Sequence, residues 1–161
     1  MKKTPKISVI IPAYNVGNYI SDTINSVLSQ NYDLESIEVI VVNDGSTDDT
    51  LEHIKHFFKF NQVILLDVEN GGVSKARNLG IQRSSGDFIA FLDGDDTWEP
   101  QFLTEMVSFA KKNNLKTVSC LYNRIESGIK SYQIYTIPSN KELFKWYVGY
   151  KGMTINTNSW L

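Results

Sequence analysis

From its amino end the chain alternates short apolar runs with segments whose apolar residues recur every three or four positions. The runs Ile7-Ser8-Val9-Ile10-Ile11, EVIVV (38–42), Val63-Ile64-Leu65-Leu66 and Phe88-Ile89-Ala90-Phe91-Leu92 have the length and composition of buried strands. Pro12 is expected to stop the first of them. Between the runs, Ile20, Ile24, Val27 and Leu28 stripe a helix that reaches about Gln30. Leu51, Ile54, Phe57 and Phe58 stripe a second, and Val73, Ala76 and Gly80 one side of a third. Phe102, Leu103, Met106, Val107 and Ala110 stripe a fourth, with Pro100 suited to its first turn. Ser46 with Asp49 resembles a capping box ahead of the second helix. This alternation predicts an α/β fold, a doubly wound, mainly parallel sheet with helices on both faces and right-handed crossovers.

After Asn114 the pattern changes. Residues 117–124 and 131–137 read as strands, with a turn at Glu126-Ser127-Gly128 between them. Residues 141–150 hold Phe144, Trp146, Tyr147 and Tyr150 and read as a short helix or a lid, and residues 154–161 as polar coil. The expected organisation is an α/β core over residues 1–115 and the truncated start of a second region over 116–161. With Trp160, these rings are too many for a polar tail. They are expected to fold back on the sheet's edge, to pair between copies of the chain or to stay disordered, and self-association is the favoured outcome.

Composition narrows the classes. A chain of 161 residues, 42% hydrophobic and 21% charged, is an ordinary globular domain. A net charge of −2 with no basic run argues against a nucleic-acid partner. A single cysteine, Cys120, excludes an intramolecular disulfide and reads as a buried bystander. No signal peptide and no apolar run near the ~20 residues of a membrane segment are present, so a cytoplasmic location is expected, with the inner face of the membrane open to a longer parent. His53 and His56 fall on the second helix, and a solvated face is their expected place.

In doubly wound sheets ligands bind outside the carboxyl ends of the strands. Here those ends carry Pro12, Ala13, Tyr14 and Asn15, then Asn43 to Ser46, then Asp67 to Gly72, then Asp93 to Asp96. Asp93, Asp95 and Asp96 repel one another unless a cation lies among them. Mg²⁺ or Mn²⁺ takes one or two carboxylates together with substrate phosphates. The pattern points to a metal–diphosphate site, against the bland alternative of a solvated acidic turn. No G-x-G-x-x-G follows the first strand, no Walker A sequence is present, and an EF-hand fails because Trp98 stands at loop position six. Asp93-Gly94-Asp95-Asp96-Thr97 also resembles the D-x-D-x-T of haloacid-dehalogenase-type phosphatases, in which Asp93 would be the nucleophile and Asp95 the acid/base. That motif belongs on a first strand, however, and here it follows the fourth.

Four segments in series, ISVIIPAYN (7–15), EVIVVNDGSTDDT (38–50), NGGVSKARNLGI (70–81) and GDFIAFLDGDDTWEP (86–100), resemble the motifs of family-2 inverting glycosyltransferases with the GT-A fold. The resemblance spans most of residues 7–100. It implies a nucleotide-diphospho-sugar donor, a divalent metal (Mn²⁺ or Mg²⁺) held by the D-x-D, and a glycan or lipid-linked hydroxyl acceptor. Carried over residue by residue, Pro12, Ala13, Tyr14 and Asn15 match the loop that packs on base and ribose. Asp44, beside Gly45, matches the carboxylate that accepts from the uracil N3–H. Lys75, Arg77 and Asn78 match the segment that reaches the donor. Asp93 would bind the ribose or the metal's shell, Asp95 the metal beyond Gly94, and Asp96 the donor sugar. Ser46, Asp48 and Asp49 read as helix capping instead. An inverting transferase also needs a general base. Of the carboxylates after Pro100, Glu105 is expected on the exposed side of its helix and Glu126 in a turn, and neither they nor Glu142 sit in the family's base motif. The chain is therefore expected to be an amino-terminal, donor-binding part with its base beyond Leu161, itself inactive; a non-catalytic UDP and metal-binding module is the alternative.

Overall fold

The computed structural model describes residues 4–119, 123–126, 129–132 and 153–156. The four apolar runs form β1 (Ile7–Ala13), β2 (Ile37–Asp44), β3 (Val63–Val68) and β4 (Phe88–Phe91). Two further strands, β5 (Thr117–Ser119) and β8 (Met153–Asn156), complete a sheet of order β3-β2-β1-β4-β8-β5, in which every neighbouring pair is parallel. A separate antiparallel pair joins β6 (Asn123–Glu126) to β7 (Ile129–Tyr132). The chain winds outward from β1 to β3 and returns to the other side of β1 with β4. The strand order thus reverses between β1 and β4, where such sheets open a ligand crevice at their carboxyl ends.

The helices are α1 (Gly17–Leu28), α2 (Thr50–Lys55), α3 (Val73–Arg83) and α4 (Phe102–Lys112). Side-chain alternation in β1 and β2 explains the two faces. Ile7, Val9, Ile11, Val39 and Val41 form one core with Ile20, Ile24 and Val27 of α1, Ile54 of α2, and Leu103, Met106, Val107 and Ala110 of α4. Ile40 and Val42 turn the other way, onto Ala76 and Leu79 of α3. Each fully buried Ile or Leu contributes about 1.5–3 kcal/mol, so this layering fixes the crevice's walls. Gly80 is where α3 comes closest to the sheet: a Cβ there would stand 2.4 Å from the Ile10 side chain.

Several expectations need correction. Pro12 does not stop β1, which pairs with β2 through Ala13 opposite Asn43. Leu92 N–H donates to Ile10 O, so the even-numbered residues of β1 turn their backbone groups toward β4. Pro12 shares that parity and lies past the end of the β1–β4 ladder, where a missing N–H costs no pairing. Phe58 is 53% exposed, because α2 ends at Lys55 and the chain turns before reaching it. His56 follows that helix end. Val73 opens α3 half-exposed, leaving Ala76 and Gly80 as its buried positions. The capping box is absent: Asp49 makes no side-chain cap, whereas Asp48 accepts from Thr50 N–H and from Gly17 N–H at the start of α1.

Residues 117–124 are not one strand. Thr117–Ser119 pairs with β8, while Asn123–Glu126 belongs to the hairpin, so Glu126 ends a strand rather than sitting in a turn. The strand expected over 131–137 begins earlier, at Ile129, which pairs with Glu126, and residues 133–137 lie outside the described residues. Residues 153–156 are a strand inside the sheet, between β4 and β5, and not coil. Four residues with backbone partners on both sides need little apolar sequence of their own. Glu105 is exposed on α4, as expected. Cys120, Glu142, residues 141–150 and residues 157–161 with Trp160, for which the sequence also raises expectations, lie outside the described residues. Among the described residues, no helix is long and apolar enough to cross a membrane.

At the amino edge of the sheet, away from the crevice, Glu38 sits opposite Ser8 in register and is 7% exposed. It accepts from Ser8 Oγ (2.5 Å), Ser85 N (2.5 Å) and Ser85 Oγ (2.8 Å), and pairs with Lys6 Nζ (3.1 Å). Burial by itself would raise its pKa; these donors outweigh it and hold the carboxyl down at about 2.

Candidate functional site at the carboxyl edge of the sheet

The exits of β1 to β4 meet through their own polar side chains. Asn15 takes a left-handed conformation (φ 53°), which Asn tolerates better than most residues. Its Oδ1 accepts from Thr47 N at 2.8 Å, and its N–H donates to Ser46 Oγ at 3.1 Å. Asn43, 2% exposed, takes Ser46 Oγ on its Oδ1 and gives Nδ2 to Asp67 Oδ1 at 2.7 Å. The exits of β1, β2 and β3 are thereby tied side by side. Asp48 adds a further tie to α1; hydrogen bonds led by that from the Thr50 hydroxyl hold its carboxyl below the usual range despite some burial.

Asp44 closes the next link. Its carboxylate is buried, with Oδ1 accepting from Gly71 N and Oδ2 from Gly72 N, each at 2.8 Å. Asn70 Nδ2 donates to its carbonyl at 2.9 Å. Gly45 (φ +70°) permits this approach, since a Cβ there would lie 2.7 Å from Asn70 N.

From α3, Arg77 reaches β4's exit. Its Nη2 donates to Asp93 Oδ1 at 2.5 Å, with both side chains about two-thirds buried (32% and 29% exposed). Arg77 Nε is buried and has no hydrogen-bond partner among the described residues. Asp96 N–H returns to Asp93 O at 3.0 Å and closes a turn whose central residues are Gly94 and Asp95. Gly94 is needed there: a Cβ would meet Pro12 O at 3.0 Å, and its carbonyl accepts from Thr23 Oγ1. Downstream, Trp98 is buried and stacks on Phe102 at 4.5 Å, anchoring the turn to the core. Asp95 and Asp96 remain exposed above it.

The residues singled out by sequence thus share one edge, in different settings. Tyr14, 51% exposed, offers a ring face there. Pro12 and Ala13 are buried, with Ala13's methyl in the core. Asn78 is exposed on α3, and Lys75 folds back over Gly71, where a Cβ would meet its Cδ at 2.2 Å. Sequence reasoning missed Asn70, Gly71 and Gly72 as partners of Asp44, although Asn-Gly-Gly between a strand and a helix signals a tight loop. It also missed Asp67 as the partner of Asn43. Among the described residues, no three His, Cys, Asp or Glu side chains are placed to hold an ion by themselves.

Comparison with known proteins bears on this edge. The profile described as Glycosyl transferase family 2 matches residues 8–160. An uncharacterized glycosyltransferase of Rickettsia bellii is 45% identical over 121 residues, covering 75% of this chain and 17% of its own length. A putative teichuronic acid biosynthesis glycosyltransferase of Bacillus subtilis, TuaG, is 40% identical over 108 residues, covering 65% of this chain and 42% of its own. The crystal structure of S. aureus TarS 1–349 in complex with UDP superposes with a TM-score of 0.69 at 28% identity, over 80% of this chain and 38% of that one. The chain spans less than half the length of each of these proteins.

Proposed function

The chain belongs to glycosyl transferase family 2, and from that membership we propose that it forms the donor-binding part of an inverting, metal-dependent glycosyltransferase. The donor is a nucleotide-diphospho-sugar with uracil as its base, and the acceptor a hydroxyl group in glycan or polysaccharide synthesis. TarS, similar in fold and sequence, is described with UDP bound, and TuaG is named for a polysaccharide pathway. The phosphatase alternative has no comparable support, since the acidic turn follows the fourth strand and the family profile spans nearly the whole chain.

The observation that carries the reading is the Arg77–Asp93 pair beside the exposed Asp95, at the point where strand order reverses. A diphosphate laid across this edge meets a guanidinium on one side and a metal-binding carboxylate on the other. Arg77 Nε, buried without a partner among the described residues, fits an oxygen-rich ligand that would satisfy it. The donor set is hard oxygen, which suits Mg²⁺ or Mn²⁺: Asp95 would hold the ion, Asp93 would contribute to its shell, and phosphate oxygens and water would complete it. When bound, the ion offsets negative charge on the leaving diphosphate. Arg77 adds positive charge and orients a phosphoryl oxygen. Tyr14 supplies a ring face to the base, Asp44 accepts from its N3–H, and Asp96 binds hydroxyls of the sugar.

Titration calorimetry with UDP, CDP and GDP in the presence of Mn²⁺ tests the donor class. UDP is expected to bind most tightly, and a preference for GDP would move the chain to another donor.

A further inference from the structure

Both Asp44 oxygens already accept from backbone N–H groups, of Gly71 and Gly72, before any nucleotide arrives, and each keeps a second lone pair for a further donor. Those residues immediately precede α3, whose own N-cap, Gly72, has no side chain to offer. The helix is held at two places. Ala76 and Gly80 pack its middle onto β1 and β2, and Asp44 grips its head from the end of β2. A carboxylate at this pole also meets the helix dipole favourably. The loop between, Asn70-Gly71-Gly72, has two glycines, one of them at φ +86°, so without the grip its backbone is free to take many conformations. One turn further on stands Arg77, whose guanidinium must arrive at Asp93 to within hydrogen-bond distance.

We infer that Asp44 is a positioning residue for the Arg77–Asp93 pair: by fixing the head of α3 it sets where the guanidinium stands at the acidic turn. This role rests on the donor-binding reading for its consequence, but its geometry does not. If Asp44 served the base alone, it would matter only to ligands that have a base. A positioning role reaches ligands with none, because Arg77 and the D-x-D face the diphosphate.

The test compares wild type, Asp44→Asn and Gly72→Ala as full chains. Gly72 is exposed and a Cβ there meets nothing within 4 Å, so this substitution opposes the positive φ without crowding the fold. Hydrogen exchange without ligand is read over residues 70–78 and, as control, over β1. Calorimetry is then run with Mn²⁺ and inorganic pyrophosphate. Both variants are expected to exchange about tenfold faster over 70–78 with β1 unchanged, and to bind pyrophosphate about fivefold or more weakly, as loss of one charge-assisted contact implies. Unchanged exchange over 70–78 in Asp44→Asn overturns the inference. So does faster exchange with pyrophosphate affinity intact, which would leave Asp44 a reader of the base and a loop clasp only. A wild type that binds neither UDP nor pyrophosphate defeats the donor-binding reading instead, and the exchange data then decide the clasp by themselves.

Discussion

Arg77 Nη2 stands 2.5 Å from Asp93 Oδ1, joining the helix after β3 to the acidic turn after β4. The pair closes the crevice at the strand-order reversal and balances one of the turn's three negative charges. A charge-assisted hydrogen bond of this kind is worth roughly 1.5–3 kcal/mol when partly buried. Arg77→Ala is therefore expected to weaken UDP binding in Mn²⁺ by about tenfold or more, as read by calorimetry. Affinity within twofold of wild type would remove Arg77 from the site.

Base selectivity is proposed to rest on Asp44. On the proposed reading, in which Asp44 accepts from the uracil N3–H, CDP, which lacks that donor, is expected to bind less well than UDP. Asp44→Ala should weaken both ligands and shrink the gap between them to about twofold, since one hydrogen bond is worth roughly 1 kcal/mol. A variant that keeps the full UDP preference would place base reading elsewhere.

The close approach of α3 to the sheet makes Gly80 sensitive. Alanine there gains about 1 kcal/mol in helix propensity over glycine. Its Cβ, however, would sit 2.4 Å from Ile10 Cγ2, and Ile10 is fully buried with no room to retreat. Overpacking of this kind costs about 1–3 kcal/mol and outweighs the gain. A lowered urea midpoint is expected, whereas an equal or higher midpoint would mean that α3 can move off the sheet.

Glu38 governs acid stability. Its folded pKa of about 2 lies below the ordinary glutamate value, so the unfolded chain binds its proton first as pH falls. The stabilisation is complete above about pH 5 and is lost progressively as pH drops from there toward 2. It amounts to about 3 kcal/mol. Glu38→Gln should be less stable than wild type at pH 7, with the difference narrowing in acid. Denaturant curves at pH 7, 4 and 3 read this directly, and a constant difference would show that Glu38 contributes no protonation-linked stability.

How much of this was legible in the sequence depends on where each residue's partners lie. β1 to β4 and α1 to α4 announce themselves because their apolar residues follow the strand and helix periods locally, and the ligand edge follows from parallel winding alone. β8 was not legible: Met153 to Asn156 gains its structure from β4 and β5, each remote in sequence. Pro12 misled because its effect depends on which side of β1 its nitrogen faces, which only the sheet order decides. At the proposed site, the sequence alone brings Asp44, Arg77, Asp93 and Asp95 to one edge of the sheet, and the structure places them there. That Asp44 is bound to Gly71 and Gly72, and Arg77 to Asp93, could not be read, since these contacts span 16 to 28 positions of chain.

At the centre of the proposed function is a divalent ion, held by Asp95, through which this edge would bind a nucleoside diphosphate. Calorimetry of UDP with wild type and Asp95→Asn, each in Mn²⁺ and in EDTA, addresses it most directly. Binding by wild type in Mn²⁺ is expected, with near loss of it in EDTA and at least about tenfold weaker binding by Asp95→Asn in Mn²⁺, equal to roughly 1.4 kcal/mol. Equal UDP affinity in Mn²⁺ and EDTA would contradict it.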